Sequence, residues 1–137
     1  MSDGGTVPPI DSDEWLARFI YYQRYIRPNR TVRPEAFIPH PYPDLSVIRH
    51  LQLSEAELWQ IGRDVARPTG KTLYGRADVQ AIVFLLQELR VGADPLPKIP
   101  NHANVFGWPA EKPAQKIIAQ EIAAAAGSVL EPPRNSV

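Results

Sequence analysis

Prolines set the limits on this chain. Fifteen occur among 137 residues, about twice the usual share, and they gather at 8–9, 28–43, 95–100 and 132–133. A proline donates no amide hydrogen and fixes its own φ, so helices and central strands must fit between the clusters. The chain therefore reads as short elements joined by proline-bearing loops and not as one disordered tract.

Between those loops there is enough apolar material for a real core. With 44 % of its residues hydrophobic, a chain of this length is expected to bury a core as one domain. Residues 12–126 are assigned to that domain, and the small, polar ends at 1–11 and 127–137 are expected to be mobile tails. Fifteen basic and fifteen acidic side chains cancel, so the total charge favours neither a nucleic acid nor a membrane partner. The placement is uneven, however. Asp3, Asp11, Asp13 and Glu14 come first, and Arg18, Arg24, Arg27, Arg30 and Arg33 follow with no acid among them. Absence of cysteine removes disulfides, thiolate metal ligands and a cysteine nucleophile together. The first residues lack the basic start and apolar run of a signal peptide, and no segment approaches the ~18 apolar residues of a membrane span. A cytoplasmic protein is expected.

Ser12, Asp13 and Glu14 resemble a helix start, and Trp15, Phe19, Tyr22 and Ile26 recur at helical spacing until Pro28. The spacing predicts a helix, with a strand as the alternative because Phe19 to Tyr22, Tyr25 and Ile26 are β-formers. "TVRPEAFIP" and "LSVIR" read as two strands, the first with Pro34 at an edge or bulge. "SEAELWQIGRDVA" predicts a helix with Ser54 and Glu57 as its capping box and Leu58, Ile61 and Val65 as its apolar stripe. "TLYG" reads as a short strand, after which Asp78 caps a second helix with Val79, Ile82, Val83, Leu86 and Leu89 inward. "LRVGA" and "ANVFG" are further strands. "EKPAQKIIAQEIAAAA" closes the fold as a helix, with Ile117, Ile118, Ile122 and Ala125 on the core. The expected class is α+β: one domain, a small sheet of about four or five short strands, packed by three or four helices.

The motifs each carry a functional and a plain reading. "PTGKT" ends like a phosphate-binding loop, but Val65 stands where the loop needs glycine and a capped helix stands where it needs a strand. The plain reading is a turn closing a helix, with Gly70 at positive φ. His40, His50 and His102 lack the i, i+4 partners and clustered carboxylates of a metal site, so neither metal nor cofactor is expected. Two histidines with an arginine would satisfy a metal-free ribonuclease, one imidazole moving the 2′-hydroxyl proton and a guanidinium holding the developing charge. For that chemistry the catalytic candidates are His102, Arg76 and His50. Against it stands the plain reading: His40 in a solvent-facing loop, His50 ending a strand, His102 bonding backbone at a turn. Ser54 is better read as a cap than as a nucleophile, and Ser46 lacks a glycine-flanked turn. The tyrosines and arginines from Arg18 to Arg33 suit base stacking and phosphate contacts, or equally tyrosines on a core with arginines in water. In "YGRAD", Arg76 and Asp78 share one strand face, which suits an internal ion pair.

The order "VRPEAFIP", "LSVIR", a capped helix, "LYGRADV" and "HANVFGWP" with Lys112 behind it resembles a family of short bacterial proteins of no known activity. The likeness spans about residues 31 to 126, and it implies a stand-alone cytoplasmic domain. "HANVFGWP" itself reads as a strand that turns at Gly107 and Pro109 into the last helix, with His102 and Asn104 on one side and Val105 and Trp108 packing. A pocket is expected on the His102 side. The binding candidates are Arg49, Arg76, Asp78, His102, Asn104, Trp108 and Lys112. The leading expectation is a non-enzymatic accessory or interaction domain that meets another protein or itself. A phosphodiester-cleaving or nucleotide-binding enzyme using His102 and Arg76, and an RNA-binding module through the Arg18–Arg33 surface, are the alternatives.

Overall fold

The structure is a computed structural model that describes residues 7–39 and 42–133. His40 and residues 1–6 of the expected amino-terminal tail lie outside the described residues. In chain order the elements are strand β1, Trp15–Ile20; β2, Leu45–Arg49; helix α1, Glu55–Ala66; β3, Gly75–Gln80; and helix α2, Ala81–Leu85. Strand β4, Arg90–Ala93, β5, His102–Phe106, and helix α3, Lys112–Ala125, complete the order. One antiparallel five-stranded sheet in the order β3-β1-β2-β5-β4 forms the centre, so the class is α+β.

Both faces of the sheet are packed. On the inner face Leu16, Ile20, Val47, Val79 and Val105 join Phe37, Phe84 and Ile122 in the main core. On the outer face Ala17, Phe19 and Ile48 meet Leu58 and Trp59 of α1 in a smaller cluster. Helix α1 begins as its sequence dictates. Ser54 Oγ accepts from the Glu57 amide at 3.1 Å, and Glu57 Oε1 accepts from the Ser54 amide at 2.8 Å, a cap that contributes about 1 kcal/mol. Its close seat on the sheet needs Gly62, because a Cβ there would stand 2.6 Å from the Phe19 ring. After α1 the chain turns at Gly70, φ 67°, as expected of a helix end; α1 occupies the place where a phosphate loop needs a strand.

Several expected elements are corrected. The helix expected after Ser12 is strand β1, because burial of Leu16, Ala17, Phe19 and Ile20 on two opposite faces needs a period of two. "TVRPEAFIP" is no strand: Pro34 opens a 3-10 turn, Pro34–Phe37, and only Val32 and Thr31 form isolated bridges. The strand expected at "TLYG" begins at Gly75 and runs through Asp78, so Asp78 caps nothing. The next element, α2, is a short helix in which Val83 is partly buried while Ile82, and Leu86 just after it, are exposed. Rotations of a stripe account for the rest. Trp59 and Gly62 replace the exposed Val65 on the inner side of α1, and Ala119 and Ala123 replace Ile117 and Ala125 on α3. Small residues face inward where a helix lies close to its neighbour.

The ends are also used. Val129 is buried, Ser128 bridges Thr31, and Leu130 exchanges both backbone hydrogen bonds with Arg76 at 3.0 Å, covering the edge of β3. At the other end Ile10 packs against the main core. The expectation that 1–11 and 127–137 are mobile tails is corrected at these residues.

Candidate functional site

Strand register decides which candidates meet. Asp78 pairs with Ala17, Ala17 with Ile48, and Ile48 with His102. These four residues lie in one row on the outer face. Asp78 and His102 are thus three strand spacings apart, roughly 14 Å between backbones.

At the β3 end of that row Arg76 and Asp78 form the expected pair. Arg76 Nε and Nη2 donate to the two Asp78 oxygens at 3.0 Å each, and Nη1 and Nη2 donate to Glu55 at 2.9 Å each. The guanidinium is 2 % exposed and lies 4.8 Å from the Trp59 ring. His50 Nε2 lies 3.0 Å from Asp78 Oδ1. Burial alone would push the Asp78 carboxyl up, but its bonds to His50 and Arg76 hold it below its ordinary value. The Arg76 bond likewise lowers Glu55. Burial works against the charge of Arg76, and its two carboxylates override it and raise the guanidinium. Each nitrogen of the Arg76 guanidinium therefore bonds a carboxylate, which makes this a structural brace. His50 and Arg76 do converge on Asp78, but His102 does not join them. The expected trio of His102, Arg76 and His50 is corrected: β1 and β2 lie between Arg76 on β3 and His102 on β5, which keeps these two out of the ~3 Å reach that proton transfer needs.

Arg49 is separated too. It lies on the inner face, 1 % exposed, bonded by Nε and Nη2 to Glu14 and by Nη1 to the Pro8 carbonyl at 2.7 Å. Trp108 packs beside the main core with its Nε1 donating to the Val105 carbonyl at 3.0 Å, and Lys112 opens α3.

His102 and Asn104 share a side, as their alternation required. Asn104 Nδ2 donates to Asp94 Oδ2 at 3.0 Å, and His102 Nδ1 lies 3.1 Å from the Asp94 carbonyl and 3.2 Å from its carboxylate. Both neighbours of Nδ1 are acceptors, so Nδ1 carries the proton. Nε2 has no partner among the described residues. His102 lines a pocket of about 230 Å3 with Phe19, Ile48, Val65, Leu96 and Ile99.

The residue that sequence reasoning placed elsewhere is Arg18. The ladder between β1 and β2 contains only Leu16↔Arg49 and Ala17↔Ile48, although β1 runs on to Ile20 and β2 starts at Leu45. The strands splay from there. The Arg18 guanidinium bridges the gap, Nε donating to the Ala36 carbonyl at 2.7 Å and Nη1 to the Ser46 carbonyl at 3.0 Å. Burial lowers it to about 10, while Tyr21 and Tyr25 pull the other way. No carboxylate among the described residues pairs with it. The split opens a larger cleft of about 680 Å3, lined by Arg18, Tyr22, Arg24, Tyr25, Tyr42 and Lys71 with Glu35 and Asp44. Arg18, Phe19, Tyr21, Ser46 and Val65 line both cavities, so the two are adjacent. Neither is lined by Arg76, Asp78 or Glu55. Only once Ala17 and Phe19 are known to be strand residues does a charged side chain between them stand out.

Within the larger cleft the aromatic groups are already engaged. Arg24 lies 4.5 Å from the Tyr22 ring centre and 5.2 Å from that of Tyr25, and Lys71 lies 5.1 Å from Tyr22. A hydrogen bond from Lys71 holds the Tyr22 hydroxyl below its ordinary value. Tyr21 is fixed by donating to the Gly62 carbonyl at 2.8 Å. Among the described residues no group of three or more His, Cys, Asp or Glu is placed to hold a metal, and no helix is long and apolar enough to cross a membrane.

Comparison with protein-family models, with curated proteins and with solved structures returns no match.

Proposed function

We propose that the protein is a small interaction domain that docks a segment of another protein in the cleft where β1 and β2 separate. The observation that carries this reading is the split itself. His50 N donates to Trp15 O at 3.1 Å, so Trp15, Ala17 and, by alternation, Phe19 turn their backbone groups toward β2. Phe19 has no ladder partner there. An extended segment laid in the split finds strand backbone to bond, tyrosine and arginine side chains of the kind that dominate interface energetics, and both signs of charge.

Nucleic acid is the less supported occupant. Arg27 is spent on Thr31 and Val32, and Arg30 pairs with Glu131 at 3.3 Å. Cations already sit against Tyr22, and Glu35 and Asp44 in the cleft repel phosphate. The phosphodiester-cleaving reading is set aside because its three residues do not meet.

The test is affinity purification from the cells that make the protein, comparing the natural chain with Tyr42→Ala/Arg24→Ala and with Leu86→Ser at the end of α2. A protein retained by the natural chain and by Leu86→Ser but lost from the cleft variant supports the reading. Equal retention by all three overturns it, and retention abolished by ribonuclease transfers the cleft to RNA.

A further inference from the structure

The smaller pocket goes beyond that reading, because its polar groups are arranged for something the larger cleft does not require. We propose that it binds a small aromatic carboxylic acid carrying a hydroxyl on the far side of its ring. The carboxylate lies on Arg18, the ring lies between Phe19, Ile48 and Ile99, and the hydroxyl donates to His102 Nε2.

Three observations converge on this ligand. The buried arginines elsewhere in the fold each hold carboxylates, Glu14 for Arg49 and Glu55 with Asp78 for Arg76. Arg18 holds only two backbone carbonyls, through Nε and Nη1, and Nη2 has no partner among the described residues. A guanidinium without a counter-ion in a partly buried position is a standing site for an anion, and its planar fork suits a carboxylate. Arg18 lines both cavities.

The walls beyond it are apolar. Phe19 and Ile48 line it from the sheet, and Leu96 and Ile99 line it from a turn held by two backbone bonds, at 3.0 and 3.1 Å. A flat apolar body fits such a slot, and a second charge does not.

At the remaining wall His102 offers a lone pair. With the Nδ1 proton held by Asp94, Nε2 of the uncharged form is an acceptor for a ligand bearing an O–H or N–H. A donor at one end and an acceptor at the other read a ligand with opposite polarity at its two ends.

The experiment is an NMR titration of methyl-labelled protein with 4-hydroxyphenylacetate. Saturable shifts are expected at Ile48, Leu96 and Ile99. The neutral 4-hydroxyphenylacetamide should bind at least about tenfold more weakly and phenylacetate about fivefold more weakly. Ile99→Trp fills the slot without touching the Arg18 bonds and should abolish the shifts. Arg18→Gln, provided its circular dichroism matches the natural chain, should bind acid and amide alike. The proposal is overturned if no saturable shift occurs by about 10 mM, if acid and amide bind equally to the natural chain, or if Ile99→Trp binds unchanged. A hexapeptide ending in tyrosine presents the same phenol and carboxylate; if it binds more tightly than the free acid, the ligand is a protein chain end and the free-acid assignment falls. Failure here leaves protein docking in the larger cleft standing, since that reading is judged by the Tyr42/Arg24 variant.

Discussion

Replacing Asp78 by alanine separates a buried charge from its partner, and the cost is set by the contacts of each side chain around Arg76. Arg76 is 2 % exposed, Asp78 17 % and Glu55 70 % at the side chain. Removing Asp78 leaves Arg76 with an exposed carboxylate and the Trp59 ring, and also removes the acceptor of His50. Loss of one partner from a buried pair costs about 3–5 kcal/mol, and because Glu55 remains, the lower end, about 3 kcal/mol, is expected. Glu55→Ala should cost less than about 1 kcal/mol, since its attraction is screened by water. Urea unfolding at pH 7 measures both, and Asp78→Ala should lower the thermal midpoint by about 10 °C. The double variant Arg76→Met/Asp78→Ala should be more stable than Asp78→Ala alone, because it leaves no charge behind. Acid supplies a check of sign. Folding depresses the Asp78 carboxyl below its ordinary 3.8, so its contribution is complete above that value and is lost as pH falls through the folded value. The gap between the natural chain and Asp78→Ala should therefore close below about pH 4. If Glu55→Ala costs as much as Asp78→Ala, or the double variant is the least stable, the account of a buried brace is wrong.

Three further outcomes are expected. His102→Ala should lose about 1–2 kcal/mol in thermal unfolding, since its ring holds the Asp94 backbone and carboxylate; combined with Asn104→Ala, the loss should fall short of the sum because both contact one carboxylate. Gly62→Ala should destabilise by about 1 kcal/mol despite alanine's better helix propensity, because the new Cβ meets a Phe19 ring already packed 6.2 Å from Trp59; a gain in urea midpoint would contradict the close approach. Ending the chain at Gly127 should destabilise by about 2 kcal/mol through loss of the buried Val129, and hydrogen exchange should show the Arg76 amide, which donates to Leu130 at 3.0 Å, losing protection.

The sequence by itself determined the features that depend on neighbours along the chain. The capping box at Ser54 and Glu57, the strands "LSVIR", "LRVGA" and "ANVFG", the positive φ of Gly70 and the shared side of His102 and Asn104 all arise from local sterics and local hydrogen bonds. Alternation also placed Arg76 and Asp78 on one face. Tertiary structure decided the rest. Whether Trp15–Ile20 is helix or strand depends on burial from both sides, and the apolar run satisfies either period until β3 and β2 flank it. Which candidates meet depends on strand order, which no local pattern encodes, and that order put Arg76 with His50 and put His102 three strands away. The candidate site arises where two strands stop pairing, and the arginine that fills the gap is inconspicuous in the sequence because its partners are backbone carbonyls, which every residue possesses.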